Sequence, residues 1–400
     1  MDRPRFPARP FEPFAQEEYL ARVERARAEM DRRRLDALVI TTELNFRYFS
    51  GFDSQTWVSP TRPFYLVVPA SAPLHAIIPT GSLVVMRETS WVEDIRTWPA
   101  PVPEDDGITL LADAIRALPR RHGGVGFELG HEMHLRMPVT DFLRLRDLVG
   151  PVELTDGTPV TRRLRMIKSP GEIARIRNAA HIVCDAFATL AAQFGPGDSE
   201  RDACLRLTID ILRRGADRSP YLVAASGPGG YETINIGPTD RRLQAGDIFI
   251  IDTGTVVDGY FCDFDRNFAV GAAPSDTVRR LDAALFDATE AALAFAAPGV
   301  TCRDIWLTMA RSLGEEAVRD SDVGRMGHGL GLAVTEPPSI HPADATVLEP
   351  GMVLTLEPGI GFRGPDGRKK VLVHEENFVV TETGCELLSK RGARQMPIVG

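Results

Sequence analysis

Residues 247–270, DIFIIDTGTVVDGYFCDFDRNFAV, decide the fold. The apolar run 248–251 has the composition of a strand buried on both faces, and Asp252 ends it. Asp258-Gly259 is a favoured two-residue hairpin turn. A hairpin closed there sets Val257 opposite Tyr260, Gly254 opposite Asp263, and Asp252 opposite Asp265. Side chains alternate with period two, so Asp252, Asp263 and Asp265 then share one face. Carboxylates on one face repel each other unless cations neutralise them. A solvent-facing acidic hairpin is the plainer alternative. The apolar flanks IFII, GYF and NFAV instead place this hairpin in the interior and favour a metal site over a solvated face.

Two further carboxylates have similar surroundings. Glu357 follows the apolar run MVLTL and precedes Pro358-Gly359, and Glu375 lies within VLVHEENFVV. His328 stands in GHGLGL, where neighbouring glycines let the backbone approach a site closely. Taken singly, His328 reads as a satisfied histidine and each glutamate as an edge-strand residue. Taken with Asp252 and Asp263, they make four carboxylates and one imidazole. That mainly oxygen set suits hard or borderline divalent ions such as Mn, Co, Zn or Fe(II). Five ligands that include carboxylates able to bridge suit two ions about 3.5–4 Å apart.

The rest of the chain fits a two-domain globular protein. Its 400 residues are 44% hydrophobic and 25% charged, enough for two ordinary cores. The net charge of −9 argues against holding nucleic acid by counterion release. The arginine runs, Arg32 to Arg34 between Asp31 and Asp36 and the pair Arg120-Arg121, read as solvated faces. No apolar run reaches membrane-spanning length, and MDRPRFPARPFEPF lacks the apolar core of a secretory signal. The five cysteines are scattered, with no CxxC pair, so a reduced cytoplasmic setting is expected.

Residues 1–15 read as an arm. A helix over 17–34 carries Tyr19, Val23, Ala26 and Met30 at helical spacing. Strands over 37–41, 64–69, 75–79 and 123–129 and a helix over 108–118 complete an α/β domain, 1–160. Ser169-Pro170-Gly171-Glu172 then has the form of a capping box with proline at the first helical position. It opens a second domain, 161–400. There, helices (170–194, 200–214) and strands (220–225, 247–253, 260–270) are followed by helices (276–297, 302–315) and strands (327–334, 352–357, 371–380). Helix pair then strands, twice over, predicts an α+β fold with internal pseudo-duplication.

At these residues the chain resembles the pita-bread family of aminopeptidase P, prolidase, creatinase and methionine aminopeptidase. RVERARAEMDRRRLDALVITTELNFRYFSGF (22–52) looks like the opening of the creatinase/prolidase N-terminal domain, and RLRMIKSPGEIARIRNAA (163–180) like the entry into the catalytic domain. SGPGG, PTDRRLQAGD, DTGTVVDGYFCDFDRNF, GHGLGL, EPP, LEPGI and EENFVVT follow in the family's order. The resemblance implies a dinuclear metallohydrolase whose ligands are Asp252, Asp263, His328, Glu357 and Glu375. Asp263 and Glu375 would bridge two ions, manganese first among the candidates, with Asp252 on one ion and His328 and Glu357 on the other. A metal-bridging hydroxide would attack a peptide or amide-type C–N bond, Glu357 assisting its proton transfer. A homodimer and a short-peptide or small-molecule substrate are implied as well.

The chain also departs from the family pattern. Proline-cleaving members carry two further histidines; Asn235 and Thr335 occupy those places here, and no histidine occurs between His181 and His328. Asn and Thr hydrogen-bond but cannot act as imidazolium. Asp265 stands where the family often has Thr, and Val373 where it usually has Arg. Both changes favour tighter cation binding or a cationic substrate. A non-peptide hydrolase or lyase acting on a small metabolite is therefore the alternative reading, and a catalytically silent binding protein a further one. Five retained ligands argue against silence, because unpaired buried carboxylates destabilise a fold. Relatives with small substrates borrow residues from a partner's N-terminal domain, for which Tyr48, Trp57 and Arg62 are candidates; Tyr48 and Trp57 as core residues and Arg62 as a surface salt bridge is an alternative of at least equal weight. HEMH (131–134) lacks the zincin spacing and reads as surface, His374 should point away from Glu375, His341 could reach the site from a loop, and Cys262 alternates away from Asp263. If Asp265 strengthens cation binding, Asp265→Ala lowers metal content and turnover; a variant unchanged in both, by metal analysis and rate assay, refutes that role.

Overall fold

The computed structural model describes residues 6–59, 61–314 and 324–400. The chain forms two compact units, Glu12–Arg165 and Met166–Gly400, the residues through Phe11 grouping with the later unit. The arm thus departs from the expected 1–160 domain, and Phe11 shows why. Its ring lies 4.7 Å from the Arg175 guanidinium and packs against the later unit's core. No described helix is long and apolar enough to cross a membrane.

The earlier unit is built on strands β1 (Leu35–Ile40), β2 (Tyr65–Pro69), β3 (His75–Pro79), β4 (Asp94–Trp98), β5 (Gly124–Phe127) and β6 (Glu153–Asp156), in sheet order β4-β3-β2-β1-β5-β6. Its helices are α1 (Gln16–Arg32), α2 (Glu43–Ser50), α3 (Leu83–Thr89), α4 (Ile108–Arg116), α5 (Val139–Val149) and α6 (Thr158–Met166). β1, LDALVI, is buried along its whole length, as a continuous apolar run in a covered sheet requires. Val39, Tyr65 and Ile77 share a core with Ile108, Leu111 and Ile115 of α4 and Leu145 of α5. The buried Glu128 carboxylate accepts Thr41 N at 2.7 Å, Thr42 N at 3.0 Å and Asn45 Nδ2 at 2.6 Å, which ties the end of β5 to the start of α2.

The later unit opens with α7 (Pro170–Leu190) and α8 (Glu200–Arg213). The capping box that starts α7 is closed on both sides: Ser169 N donates to Glu172 Oε2 at 2.9 Å and Glu172 N to Ser169 Oγ at 3.4 Å. Strands β7 (Arg218–Pro228), β8 (Asp247–Val257), β9 (Tyr260–Phe261) and β10 (Phe264–Val270) follow, then α9 (Asp276–Phe295) and α10 (Cys302–Leu313). The last strands are β11 (His328–Gly329), β12 (Glu336–Ser339), β13 (Val353–Leu356), β14 (Gly359–Arg363), β15 (Lys369–Val373), β16 (Glu376–Val380), β17 (Cys385–Leu387) and β18 (Ile398–Val399). One sheet runs β18-β10-β8-β7 with β9 on β8, a second β12-β11-β13-β16-β17, and β14-β15 is a separate ribbon. Each helix pair thus precedes its own five-stranded sheet.

The hairpin has the register read from its turn. Val257 pairs with Tyr260, Asp252 with Asp265 and Ile250 with Asn267. Asp258 and Gly259 both take positive φ, 48° and 85°, as a turn matched to strand twist demands. Phe249, Ile251, Phe264 and Phe268 face α7 and α8, while Ile248, Ile250 and Ala269 face α9 and the β14-β15 ribbon. Alternation therefore puts Asp252 and Asp265 on the second side.

Three expected strands differ, the span 260–270 being interrupted at Cys262-Asp263 between β9 and β10. The span 327–334 is strand only at His328–Gly329, because the chain turns where Gly331 packs against Glu336 and Lys168. The span 371–380 is broken at His374-Glu375. β15 pairs with β14 while β16 pairs with β13, so the chain changes partner there, opposite the Glu357-Pro358 break between β13 and β14. His374 N donates to Pro358 O at 3.2 Å across this double break.

Gly254 has no room for a side chain. A Cβ there would sit 2.1 Å from Cys262 O and 2.8 Å from Tyr221 Oη. Gly254→Ala is expected to cost roughly 3 kcal/mol of stability by overpacking, read as a lower denaturant midpoint; an unchanged midpoint would show that the hairpin yields easily.

Candidate metal centre

Breaks in strands place three of the acidic groups. Asp263 lies between β9 and β10, Glu357 between β13 and β14, and Glu375 between β15 and β16. Ligand-type atoms of Asp263, His328 and Glu375, all buried, lie within 4.8 Å of one another. His328 Nε2 is 3.6 Å from Asp263 Oδ2, while Nδ1 is 2.9 Å from Gly329 O. A carbonyl accepts only a proton, so Nδ1 carries the hydrogen and Nε2 presents its lone pair toward the cluster. Asp252 lies close enough for its carboxyl and that of Asp263 to interact electrostatically.

Three groups outside the cluster hold it. Tyr221 on β7 donates its hydroxyl to Asp263 Oδ1. Asn377 on β16 grips the Asp263 backbone on both sides, accepting its N–H at 3.0 Å and donating to its carbonyl. The Arg266 guanidinium donates to Asp265 O at 2.6 Å, Glu375 O at 3.3 Å and Glu376 Oε2 at 3.2 Å. Sequence reasoning missed all three. The signal for Tyr221 was cross-strand: it pairs with Gly254, whose missing side chain leaves space for the ring.

The electrostatics are those of acids crowded away from water. Burial pushes the carboxyls of Asp263, Asp265 and Glu375 well above the usual range, and repulsion by neighbouring carboxylates pushes them further. Burial raises Asp252 to about 6 and Glu357 to about 7. Both of these side chains are half-buried by accessible surface yet densely surrounded by protein. Burial lowers His328 to about 4, helped by the charge of Arg325. Burial and the Asp263 charge hold the Tyr221 phenol well above its ordinary value, so it remains a donor.

Asp252 Oδ1, Asp265 Oδ2 and Glu375 Oε1 are buried acceptors with no hydrogen-bond partner among the described residues. Such orphans are rare in folded interiors. Buried, unpartnered carboxylate oxygens beside the Asp263–His328–Glu375 group fit a divalent cation, which would reverse the pressure toward protonation. A cavity of about 360 Å³ along the β10 edge touches this group only through Asp265 and Glu375.

The remaining expected residues lie elsewhere. Asn235 and Thr335 are exposed, and neither is a hydrogen-bond partner of the cluster among the described residues; Asn235 N instead donates to Thr233 Oγ1 at 3.0 Å. Tyr48 and Trp57 are interior to their own unit, contrary to a role reaching out toward substrate. Tyr48 is 1% exposed with its hydroxyl held by Arg25, and Trp57 packs 4.8 Å from Phe64. Apolar contact outweighs reach for both rings. Arg62 is exposed at φ 59°. His374 pairs with buried Asp282 at 2.7 Å, and His341 Nδ1 accepts Ala343 N at 3.1 Å. Cys262 packs into the α7–α8 core, away from the cluster.

Paired helix-backed sheets around an inward-facing carboxylate cluster define the pita-bread class of metal-dependent hydrolases. The family model described as metallopeptidase family M24 matches residues 174–382, and that of the creatinase/prolidase N-terminal domain matches residues 22–167. The probable dipeptidase PepE of Mycobacterium tuberculosis is 30% identical over 378 residues, 93% of this chain and 94% of that protein. The crystal structure of dipeptidase PepE from Mycobacterium ulcerans superposes with a TM-score of 0.83 at 29% identity, covering 97% of this chain and all of that one. That of recombinant prolidase from Thermococcus sibiricus gives 0.82 at 27% identity, covering 95% and 99%. The chain belongs to metallopeptidase family M24.

A pH dependence follows from the raised carboxyls. They hold protons in the folded state that the unfolded chain has released, so the metal-free fold loses stability as pH rises past the ordinary carboxylate range. His328 acts oppositely, adding stability between about 4 and its unfolded value of 6.5. Above that point the acids act alone. The melting temperature of chelator-treated protein should fall between about pH 6.5 and about pH 8; a flat or rising curve would contradict the crowded-acid picture.

Proposed function

We propose that Asp252, Asp263, His328, Glu357 and Glu375 hold two divalent ions, manganese first, with zinc, cobalt or iron as the other candidates. The protein then hydrolyses the amide bond of a short peptide, as a cytoplasmic homodimer. The observation that carries this reading is the buried group Asp263, His328 and Glu375, whose ligand-type atoms lie within 4.8 Å of one another, together with the orphaned acceptors Asp252 Oδ1, Asp265 Oδ2 and Glu375 Oε1. Whole-length likeness to proteins named dipeptidase and prolidase supports the peptide substrate.

Each residue has a distinct task. Asp263 and Glu375, whose ligand-type atoms lie within 4.8 Å of those of His328, would hold the ions together with it. Tyr221 fixes one Asp263 oxygen and leaves Oδ2 for the site. Asp252 and Glu357 would complete the ligand set. Divalent ions held by these residues would supply Lewis acidity and a water activated near neutral pH. Glu357, raised to about 7, can take a proton from water and return it to the leaving amine.

The exposure of Asn235 and Thr335 favours a second reading, a non-peptide hydrolase or lyase acting on a small metabolite. The two readings part on one assay: Mn-reconstituted protein on a panel of Xaa-Pro dipeptides, with Asp263→Asn as control. Cleavage by the wild type, lost by at least about a hundredfold in the control, is expected. No cleavage by protein that carries its full metal content would overturn the peptidase reading in favour of the second.

A further inference from the structure

The chain that follows His328 turns back over a buried ion pair that the mechanism leaves unused. Lys168 Nζ lies 3.3 Å from Glu336 Oε2, with the two side chains 2% and 3% exposed. Glu336 divides its carboxylate between two donors. Oε2 takes the ammonium, and Oε1 accepts the Ala333 amide at 3.0 Å. Gly331 lies directly on the pair, since a Cβ there would sit 3.0 Å from both Glu336 oxygens and from Lys168 Cε. The turn is closed by Gly331 N, which donates to Ala333 O at 3.0 Å. Lys168 is itself fixed to the second sheet. Its N donates to Gly351 O at 2.9 Å, and neighbouring Ile167 bridges to Met352, just before β13.

This turn also joins the two sheets. Phe261 N on β9 donates to Gly331 O at 2.8 Å. Phe261 stands two residues before Asp263, and Gly331 three residues after His328. His328 Nε2 and Asp263 Oδ2, 3.6 Å apart, are therefore linked by a short backbone path through the Phe261–Gly331 bond. Where Gly331 stands bears on the width of that gap, and the ion pair decides where Gly331 stands. Stability alone does not call for charge here, because an apolar pair of similar volume often does as well as a buried ion pair. An apolar pair lacks an acceptor for Ala333 N, so the particular contribution of Glu336 is to geometry.

We propose that Glu336, neutralised by Lys168, is a positioning residue that sets the spacing of His328 and Asp263 through the Gly331–Ala333 turn, and with it the fit of the centre for a divalent ion. Glu336 acts through the backbone of the turn rather than as a ligand. The inference rests on the metal-site reading and adds to it a residue from outside the ligand set.

The test is cobalt(II) binding to full-length, metal-stripped protein, read by chelator competition and by the visible absorption of the bound ion. Glu336→Gln alone would strand the Lys168 ammonium, so both residues are changed together. Lys168→Met with Glu336→Leu removes the charges and the acceptor. Lys168→Met with Glu336→Gln removes the charges but keeps an oxygen for Ala333 N. The Leu-bearing protein is expected to bind cobalt about tenfold to a hundredfold more weakly, with an altered absorption band, and the Gln-bearing one within about threefold of the wild type. Gly331→Ala leaves the pair in place but pushes the turn off it. It should weaken cobalt binding in the same direction, and it carries the test if the Leu-bearing protein does not fold. Melting curves of the metal-stripped proteins report folding. Wild-type affinity and absorption in a folded Leu-bearing protein or in Gly331→Ala would overturn the proposal, as would a Gln-bearing protein that loses as much as the Leu-bearing one. A wild type that binds no cobalt overturns the metal-site reading and this proposal together, whereas wild-type binding that the variants leave unchanged overturns this proposal alone.

Discussion

Carboxylates crowded in an interior repel one another, and much of the later unit is arranged to hold them together in spite of it. Asp252 and Asp265 face each other directly across β8 and β10, and the charge of Asp252 pushes the Asp263 carboxyl up. Left to themselves, such groups would splay toward water or keep their protons. The restraints act mostly on backbone rather than on the acids themselves. Asn377 grips both polar groups of the Asp263 main chain, and Arg266 reaches the carbonyls of Asp265 and Glu375. The carboxylate oxygens are thereby positioned without being neutralised, the condition a cation site needs.

Strand breaks are the means of positioning. A regular strand sends alternate side chains to opposite faces, which would divide neighbouring ligands between the two sides of a sheet. Interrupting β13-β14 and β15-β16 at matching points turns one pair of strands from the second sheet into the separate ribbon. Glu357 and Glu375 sit at that bend. His374, next to Glu375, leaves the cluster for Asp282 and steadies the bend from behind.

Where local chemistry decides structure, the sequence was readable. The Asp258-Gly259 turn set the hairpin register and so the shared face of Asp252, Asp263 and Asp265. Ser169 and Glu172 announced α7. What escaped depends on contacts between distant segments. The partner switch at His374-Glu375 is invisible in VLVHEENFVV, which reads as one strand until two different neighbours claim its halves. Tyr221 reads as an ordinary strand aromatic, and only its pairing with Gly254 shows that its hydroxyl has somewhere to go. Tyr48 and Trp57 stayed open between two readings for the converse reason. An aromatic near a loop can serve a core or a ligand, and packing against Phe64 decided for the core. Asn235 and Thr335 stand where the resemblance expects two imidazoles, but residue type alone could not show that both side chains would be exposed.

The bonds between Asp263 and Asn377 join positions 114 residues apart, whereas the Asp258-Gly259 turn joins immediate neighbours. Contacts close in sequence generally form before distant ones, because distant ones must first close a long loop. The centre is thus assembled in two instalments. The hairpin can present its acidic face early, when water still screens it, while the strands bearing His328, Glu357 and Glu375 arrive later and remove that water. The last step of folding is also the step that concentrates the charge, so a cation available at that moment smooths the descent to the native state.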